Sequence, residues 1–233
     1  MIGSLQLKIN SKRMFSYNSG RPATPPVVKN IIIANCVALL ATTLLPFGDD
    51  IIARFALFNF ESPLFHSYQV FTYMFLHGGV SHLFFNMFAL WMFGKTLERE
   101  LGSSRFFTYY MVCGIGAAIL QLGVGYAEYA HAVRDMGQYA AIHLLQIPTV
   151  GASGAVFGLL LAFGVLHPNS TVMLVFPPVA MKAKWFVVVY GLIELFFGLS
   201  GYQAGVAHFA HLGGMLWGFA LLYWWRKNGK IRF

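Results

Sequence analysis

Ser153 stands in the run Gly151-Ala152-Ser153-Gly154, at the head of a long apolar stretch. A serine hydroxyl is a weak nucleophile until a base takes its proton. A histidine titrating near neutrality is the usual base. Two other apolar stretches supply candidates, His82 with Asn86 and His208 with His211. Serine attack on an acyl carbon also needs fixed donors for the oxyanion. Asn86 offers an amide N–H and His82 a ring N–H, and at i and i+4 they share a helix face. Backbone N–H groups beside Ser153, at a helix N-terminus, add to them. Gly151 and Gly154 leave room for a substrate backbone to come close. Plainer readings exist. Small residues around Ser153 also suit helix packing in a bilayer. His82, His208 and His211 would suit a metal or haem, but that leaves Ser153 and Asn86 unexplained. It also comes without a His-Glu-x-x-His motif or a cysteine set.

The stretches that must carry these groups are those of a membrane protein. Of the 233 residues, 58% are hydrophobic and 10% charged, against about 25% charged in soluble domains. Mean hydropathy is +0.63. Six apolar spans are expected, near residues 28–46, 82–97, 104–126, 149–167, 184–200 and 206–225. Ser81, after Gly78-Gly79, reads as the N-cap of the second. Trp224-Trp225 suits the headgroup level at the end of the last. Residues 1–26 read as a basic, poorly ordered cytoplasmic tail. Residues 27–226 read as the membrane domain and 227–233 as a second basic tail. Cys36 and Cys113 sit inside apolar runs and read as reduced, buried thiols.

Formal net charge is +8. The basic residues flank apolar spans, so they read as topology signals, not as a nucleic-acid surface. With the N-terminus inside, only Arg54 and Arg134 of the 16 Lys and Arg lie outside. That positive-inside bias supports an even number of spans with both termini cytoplasmic. The long segment 47–81 becomes an outer loop. Its apolar pieces, Ile51 to Phe60 and Phe71 to His77, are too short to span and read as interfacial. Residues 127–148 form a second outer loop. Spans 2, 4 and 6 then start at the outer face. At ~1.5 Å per residue, Asn86, Ser153 and His211 share one layer just below it, and one wet site is the economical arrangement for such polar groups.

Three motifs in order now resemble one family. Gly151 to Gly154 match Gly-x-Ser-Gly, and His82 to Asn86 match His-x-x-x-Asn, preceded by His77. Ala210, His211, Gly214 and Gly218 match Ala-His-x-x-Gly-x-x-x-Gly. The chain is similar, over about residues 28–225, to the rhomboid intramembrane serine proteases of the six-span bacterial kind. The resemblance implies an all-α membrane bundle with a membrane-associated first outer loop. It implies a serine endopeptidase working through a Ser153–His211 dyad with no third acid, an acyl-enzyme, and oxyanion donors from His82, Asn86 and the Ser153 backbone. It implies transmembrane protein substrates cut near the outer interface, with no cofactor and no metal. The place implied is a bacterial inner membrane.

Further residues are expected to support this site. Glu98 matches a structural carboxylate at the inner end of span 2. Phe157, one turn after Ser153, stands where some relatives have Tyr, and its ring is expected to stack on His211. His77 reads as a structural tie between outer loop and bundle, and His208 as a residue that supports the site from behind or packs there, not as a catalyst. Gly214 and Gly218, with Gly158 facing them, are expected to pack span 6 closely on span 4. Many relatives carry Trp-Arg in the first outer loop, where this chain has Tyr68-Gln69, so that loop contact must differ. Glu194 is an intramembrane carboxylate that no motif explains; it is expected to be neutral or hydrogen-bonded within the bundle. Span 5, rich in Phe and free of motif residues, is the expected lateral gate. The alternative reading is a catalytically inactive relative that binds client helices. Sequence alone leaves the oligomeric state open.

Overall fold

The computed structural model describes residues 24–173, 179–200 and 206–231. The basic tail expected over 1–26 lies almost wholly outside the described residues. The fold is all-helical apart from one short hairpin. Its longer helices are α1 (Pro26–Leu44), α2 (Gly48–Phe55), α4 (Val80–Leu101), α5 (Ser103–Met136), α7 (Ser153–Leu166), α8 (Ala183–Ser200) and α9 (His208–Lys227). The short helices α3 (Gln69–Thr72) and α6 (Gln138–Ala141) lie between them, each running into a 3-10 turn. Strands β1 (Thr171–Met173) and β2 (Ala180–Lys182) pair antiparallel between α7 and α8.

Helices α1, α5 and α8 are long and apolar enough to cross a bilayer. Their surfaces carry apolar side chains such as Val37, Ile119, Leu192 and Phe196 facing outward. In water that would be costly; in lipid it is the natural exterior. The short α7 is the middle of the bundle, touching α4, α5, α8 and α9. Its 14 residues span roughly 21 Å. Small residues let neighbours approach it. A Cβ on Gly214 of α9 would collide with the Gly154 carbonyl, and one on Gly158 would collide with the Cys113 thiol. A Cβ on Gly218 would meet the Tyr109 hydroxyl and Cys113 on α5, and that hydroxyl donates to the Gly158 carbonyl of α7 at 2.9 Å.

Several boundaries differ from the sequence reading. Helix α4 starts at Val80 with Gly79 as N-cap, so Ser81 lies inside it and caps nothing. Helix α5 runs on to Met136 instead of ending near 126. Residues 126–136 contain no Gly or Pro, and nothing local stops the helix before Gly137. Thus residues 127–136, expected as loop, are helix. Residues 149–151, expected as the start of a span, lie outside helix α7, and Ala152 is its N-cap. Thr149 pairs with Leu57 through two backbone bonds of 2.8 and 3.0 Å, and Gly151 breaks the helical path with φ +132°.

The loop between α1 and α4 is a built platform. Gln69 is fully buried. Its Nε2 donates to the Leu64 carbonyl at 2.8 Å and to the Arg54 carbonyl at 3.1 Å, and its Oε1 accepts from the Phe58 N–H at 3.4 Å. One amide thus fastens the start of the second apolar piece to the first piece and to the turn between them. Tyr73 joins the platform to the bundle. Its hydroxyl donates to the Gly114 carbonyl at 2.7 Å, and its own carbonyl accepts from Gly151 N–H at 3.0 Å. At the opposite end Glu98 is buried. It accepts from the Val27 and Val28 N–H groups at 3.0 and 2.8 Å and from the Ser103 hydroxyl at 2.7 Å. The first N–H groups of a helix have no partner of their own, and this carboxylate supplies one for α1. The structural role expected of Glu98 has this physical content.

Candidate active site

Ser153 is the first residue of α7, not four residues into it. His211 is in the first turn of α9 and His82 in the first turn of α4. All three therefore sit at one end of the bundle. His211 Nε2 lies 2.8 Å from Ser153 Oγ. Phe157 stacks flat on the other side of that imidazole, with centroids 4.3 Å apart and planes 5° apart. The ring that was expected to stack does so.

The backbone around Ser153 is shaped by the preceding residues. The Leu57–Thr149 pair and the Gly151–Tyr73 bond hold the approach extended, and the helix turns in at Ala152. Gly151 faces His82. A Cβ there would sit 2.9 Å from Cε1 and 3.0 Å from Nε2 of His82, and 3.6 Å from Ser153 Oγ. The space a side chain would fill lies between the serine hydroxyl and the His82 ring nitrogen. A reacting carbonyl oxygen needs such a place.

His82 Nδ1 accepts from the Gly78 N–H at 3.3 Å, which leaves the proton on Nε2, the nitrogen facing Gly151. Asn86 is buried one turn on. Its Nδ2 donates to the His82 carbonyl at 2.9 Å and has a second hydrogen to give. The N–H groups of Ser153, Gly154 and Ala155 precede the first helical bond, from Val156 N–H to the Ala152 carbonyl at 3.0 Å. They form a donor set on the positive end of α7. His77 is buried against His82, ring edge to face at 5.0 Å. Burial, with His82 adding to it, pushes the His77 imidazole down to about 4.

Behind His211 the structure departs from the pattern of a dyad. Glu194 is buried, on the inward face of α8 with Phe186 and Val187. Its Oε2 lies 2.8 Å from His211 Nδ1 and 2.7 Å from His208 Nδ1. The carboxylate is hydrogen-bonded within the bundle, as one of the two expected readings had it. What sequence reasoning missed is its partner. The available signal was the spacing of Phe186, Tyr190 and Glu194, which puts the acid on the buried stripe of an otherwise lipid-facing helix. His208, expected to support the site from behind or to pack there, shares that oxygen. Glu194, His208 and His211 are also the set among the described residues whose ligand atoms could meet at a cation, all within 4.8 Å of one another. A shallow groove along Ala127 to Met136 is lined by one exposed helix face; its His131 and Asp135 pair with each other at 3.0 Å. It is remote from Ser153 in the chain and shares no residue with this site.

A bundle of apolar helices with a serine–histidine pair at the mouth of its shortest member defines a class: multi-pass membrane proteins with the side chains of a serine hydrolase. Comparison with known proteins agrees with that class. The rhomboid domain family matches residues 65–228, and the chain belongs to the rhomboid family. It is 36% identical over 146 residues to RHOMBOID-like protein 4 of Arabidopsis thaliana, covering 63% of this chain and 31% of that protein. It is 29% identical over 152 residues to Rhomboid protease GluP of Bacillus subtilis, covering 65% and 25%. It is 29% identical over 147 residues to Rhomboid protease AarA of Providencia stuartii, covering 62% and 51%. The matches thus span between a quarter and about half of these relatives' length. Mitochondrial rhomboid proteins of yeast and Arabidopsis are similar to it as well.

Proposed function

We propose that this chain is an intramembrane serine endopeptidase that cleaves transmembrane protein substrates near the outer interface. The observation that carries the reading is the 2.8 Å contact between His211 Nε2 and Ser153 Oγ, with Phe157 stacked on the imidazole. His211 takes the hydroxyl proton as Ser153 Oγ attacks the scissile carbonyl. The oxyanion forms in the gap beside Gly151, where His82 Nε2–H, Asn86 Nδ2–H and the Ser153 N–H stabilise it. His211 then gives the proton to the leaving amide nitrogen, and an acyl-enzyme remains on Ser153. Water, deprotonated by the same imidazole, releases the second product. No metal or cofactor enters these steps.

The helices α1, α4, α5, α7, α8 and α9 are the six spans of this reading. The charge distribution supports both termini in the cytoplasm and the serine at the outer face, in a bacterial inner membrane. The membrane domain is taken as 27–226 between two basic tails. A substrate helix must unwind locally, because an intact helix hides its carbonyl carbons behind its own hydrogen bonds. It enters laterally from lipid beside α8, whose outward face is apolar. The complete Ser153–His211 pair favours a peptidase over an inactive relative that only holds client helices.

The purified protein, incubated with a fluorophosphonate probe, is expected to label in the wild type and to lose labelling in Ser153→Ala and His211→Ala. It is expected to cleave a reporter transmembrane substrate, with the cut mapped by mass close to the outer end of its apolar segment. A wild-type protein that neither labels nor cleaves, yet binds the reporter, would instead support the client-binding reading.

A further inference from the structure

We infer that Glu194 is a positioning residue for the base: it holds His211 in the tautomer that can accept the serine proton, and His208 pins the carboxylate in place. This rests on the peptidase reading, and it adds an acid where the family pattern has none.

The inference starts from which atoms can donate. An ionised carboxylate only accepts. Glu194 Oε2 lies at hydrogen-bond distance from two Nδ1 atoms, 2.8 Å for His211 and 2.7 Å for His208. Each imidazole must therefore carry its proton on Nδ1. A neutral His211 protonated at Nδ1 presents a lone pair at Nε2, 2.8 Å from Ser153 Oγ. That is the one neutral tautomer able to take the hydroxyl proton. Without the carboxylate, His211 is free to put its proton on Nε2, and it would then donate to Ser153 and deprotonate nothing. The general template for a third acid behind a histidine has this logic.

Two histidines on one oxygen also make physical sense. A carboxylate without partners in an apolar bundle is costly. Here all three side chains are buried, so the histidines supply what bulk water does not. His208 and His211 sit three residues apart on α9 and reach the acid together. The second donor keeps Glu194 ionised and in one rotamer while the first changes charge. During attack the proton passes from Ser153 Oγ to His211 Nε2. The imidazolium keeps its Nδ1–H on the carboxylate, and Glu194 itself never takes a proton. Among the described residues the hydrogen-bond partner of the His208 ring is the carboxylate, at Nδ1, and its Nε2 has none.

The distances favour shared protons over a cation. Ligand atoms held at about 2 Å around an ion in tetrahedral geometry lie roughly 3.3 Å from each other. The separations of 2.7 and 2.8 Å are those of charge-assisted hydrogen bonds.

The test uses the full chain in detergent, with four readouts: fluorophosphonate labelling rate, kcat and KM on the reporter substrate, thermal midpoint, and histidine 15N NMR. Glu194→Gln is expected to lower the labelling rate and kcat at least tenfold, on the order of 10²–10⁴ as when such an acid becomes its amide. KM should stay within about threefold, since no substrate contact is lost. Glu194→Asp, which keeps the charge, should recover part of that loss. His208→Asn should lower both rates less than Glu194→Gln does. The NMR spectrum of the Ser153→Ala protein should show His211 protonated at Nδ1 and bare at Nε2. A folded Glu194→Gln protein labelled within tenfold of wild type would overturn the inference while leaving the peptidase reading intact. So would a His211 found with its proton on Nε2, a measurement that still decides if Glu194→Gln does not fold. Loss of wild-type labelling on adding EDTA, restored by zinc, would overturn it in favour of a metal site. A wild-type protein that never labels would sink the peptidase reading alone, and the tautomer measurement would still decide this one.

Discussion

At the scale of single residues, Gly151 is constrained both by its backbone and by its neighbours. Its φ of +132° excludes ordinary side chains, and the missing Cβ is the gap between His82 and Ser153. Gly151→Ala is expected to reduce fluorophosphonate labelling by more than tenfold, with a stability loss of about 1–3 kcal/mol from backbone strain; labelling rate and thermal midpoint check both. His77 gives a pH signature. Its folded value of about 4 lies below the 6.5 of an exposed imidazole, so the unfolded chain binds the proton first. Stability is then complete above pH about 6.5 and drains as pH falls toward 4, by roughly 3 kcal/mol in all. Thermal midpoints measured across that window should fall in the wild type and stay flatter in His77→Gln. Most of the site residues were legible in the sequence, because motif spacing sets which residues share a helix turn. The contact of Glu194 with His211 was not. It depends on how α8 is rotated about its axis against α9, and no one-dimensional pattern records that angle.

The elements show why their ends were the least legible part. Local signals, such as a serine after two glycines, pointed to Ser81 as a cap, but the chain turns into α4 at Gly79 and the hydroxyl caps nothing. Helix α5 outran its apolar stretch because its polar C-terminal part is still a good helix former. The pairing of Leu57 with Thr149 joins segments far apart in the chain and has no sequence signature. Glu98 was legible from its motif, yet its partners were not. It serves the start of α1 from the end of α4. Glu98→Ala is expected to leave the Val27 and Val28 N–H groups bare and to cost about 2–4 kcal/mol of stability, read as a lower thermal midpoint. The labelling rate of the folded fraction should change little, since the serine is at the other end of the bundle.

For the whole molecule, composition pointed to a membrane protein and the motifs' resemblance to an all-α bundle, and the close contact between α7 and α9 followed from small residues at the right spacing. Gly214 sits against the Gly154 carbonyl, one residue from the serine. Gly214→Val would push α9 off α7 and carry His211 away from Ser153. It is expected to abolish labelling and either prevent folding or lower the thermal midpoint sharply, by overpacking of about 1–3 kcal/mol or more. Gel filtration and thermal melting separate those two outcomes, and retention of wild-type labelling would contradict the packing described.

Helix α7 is also short. Its roughly 21 Å is about 9 Å less than the ~30 Å hydrocarbon layer, and its blunt end carries the hydroxyl. If its inner end lies at the inner boundary, the serine is recessed below the outer headgroups by about two turns of a neighbouring helix. On the proposed peptidase reading the protein would then work as a depth gauge. What it could cut would be decided by which peptide bond of a foreign helix hangs at that level, and lipids with longer or shorter tails would slide the register of the cut along the substrate.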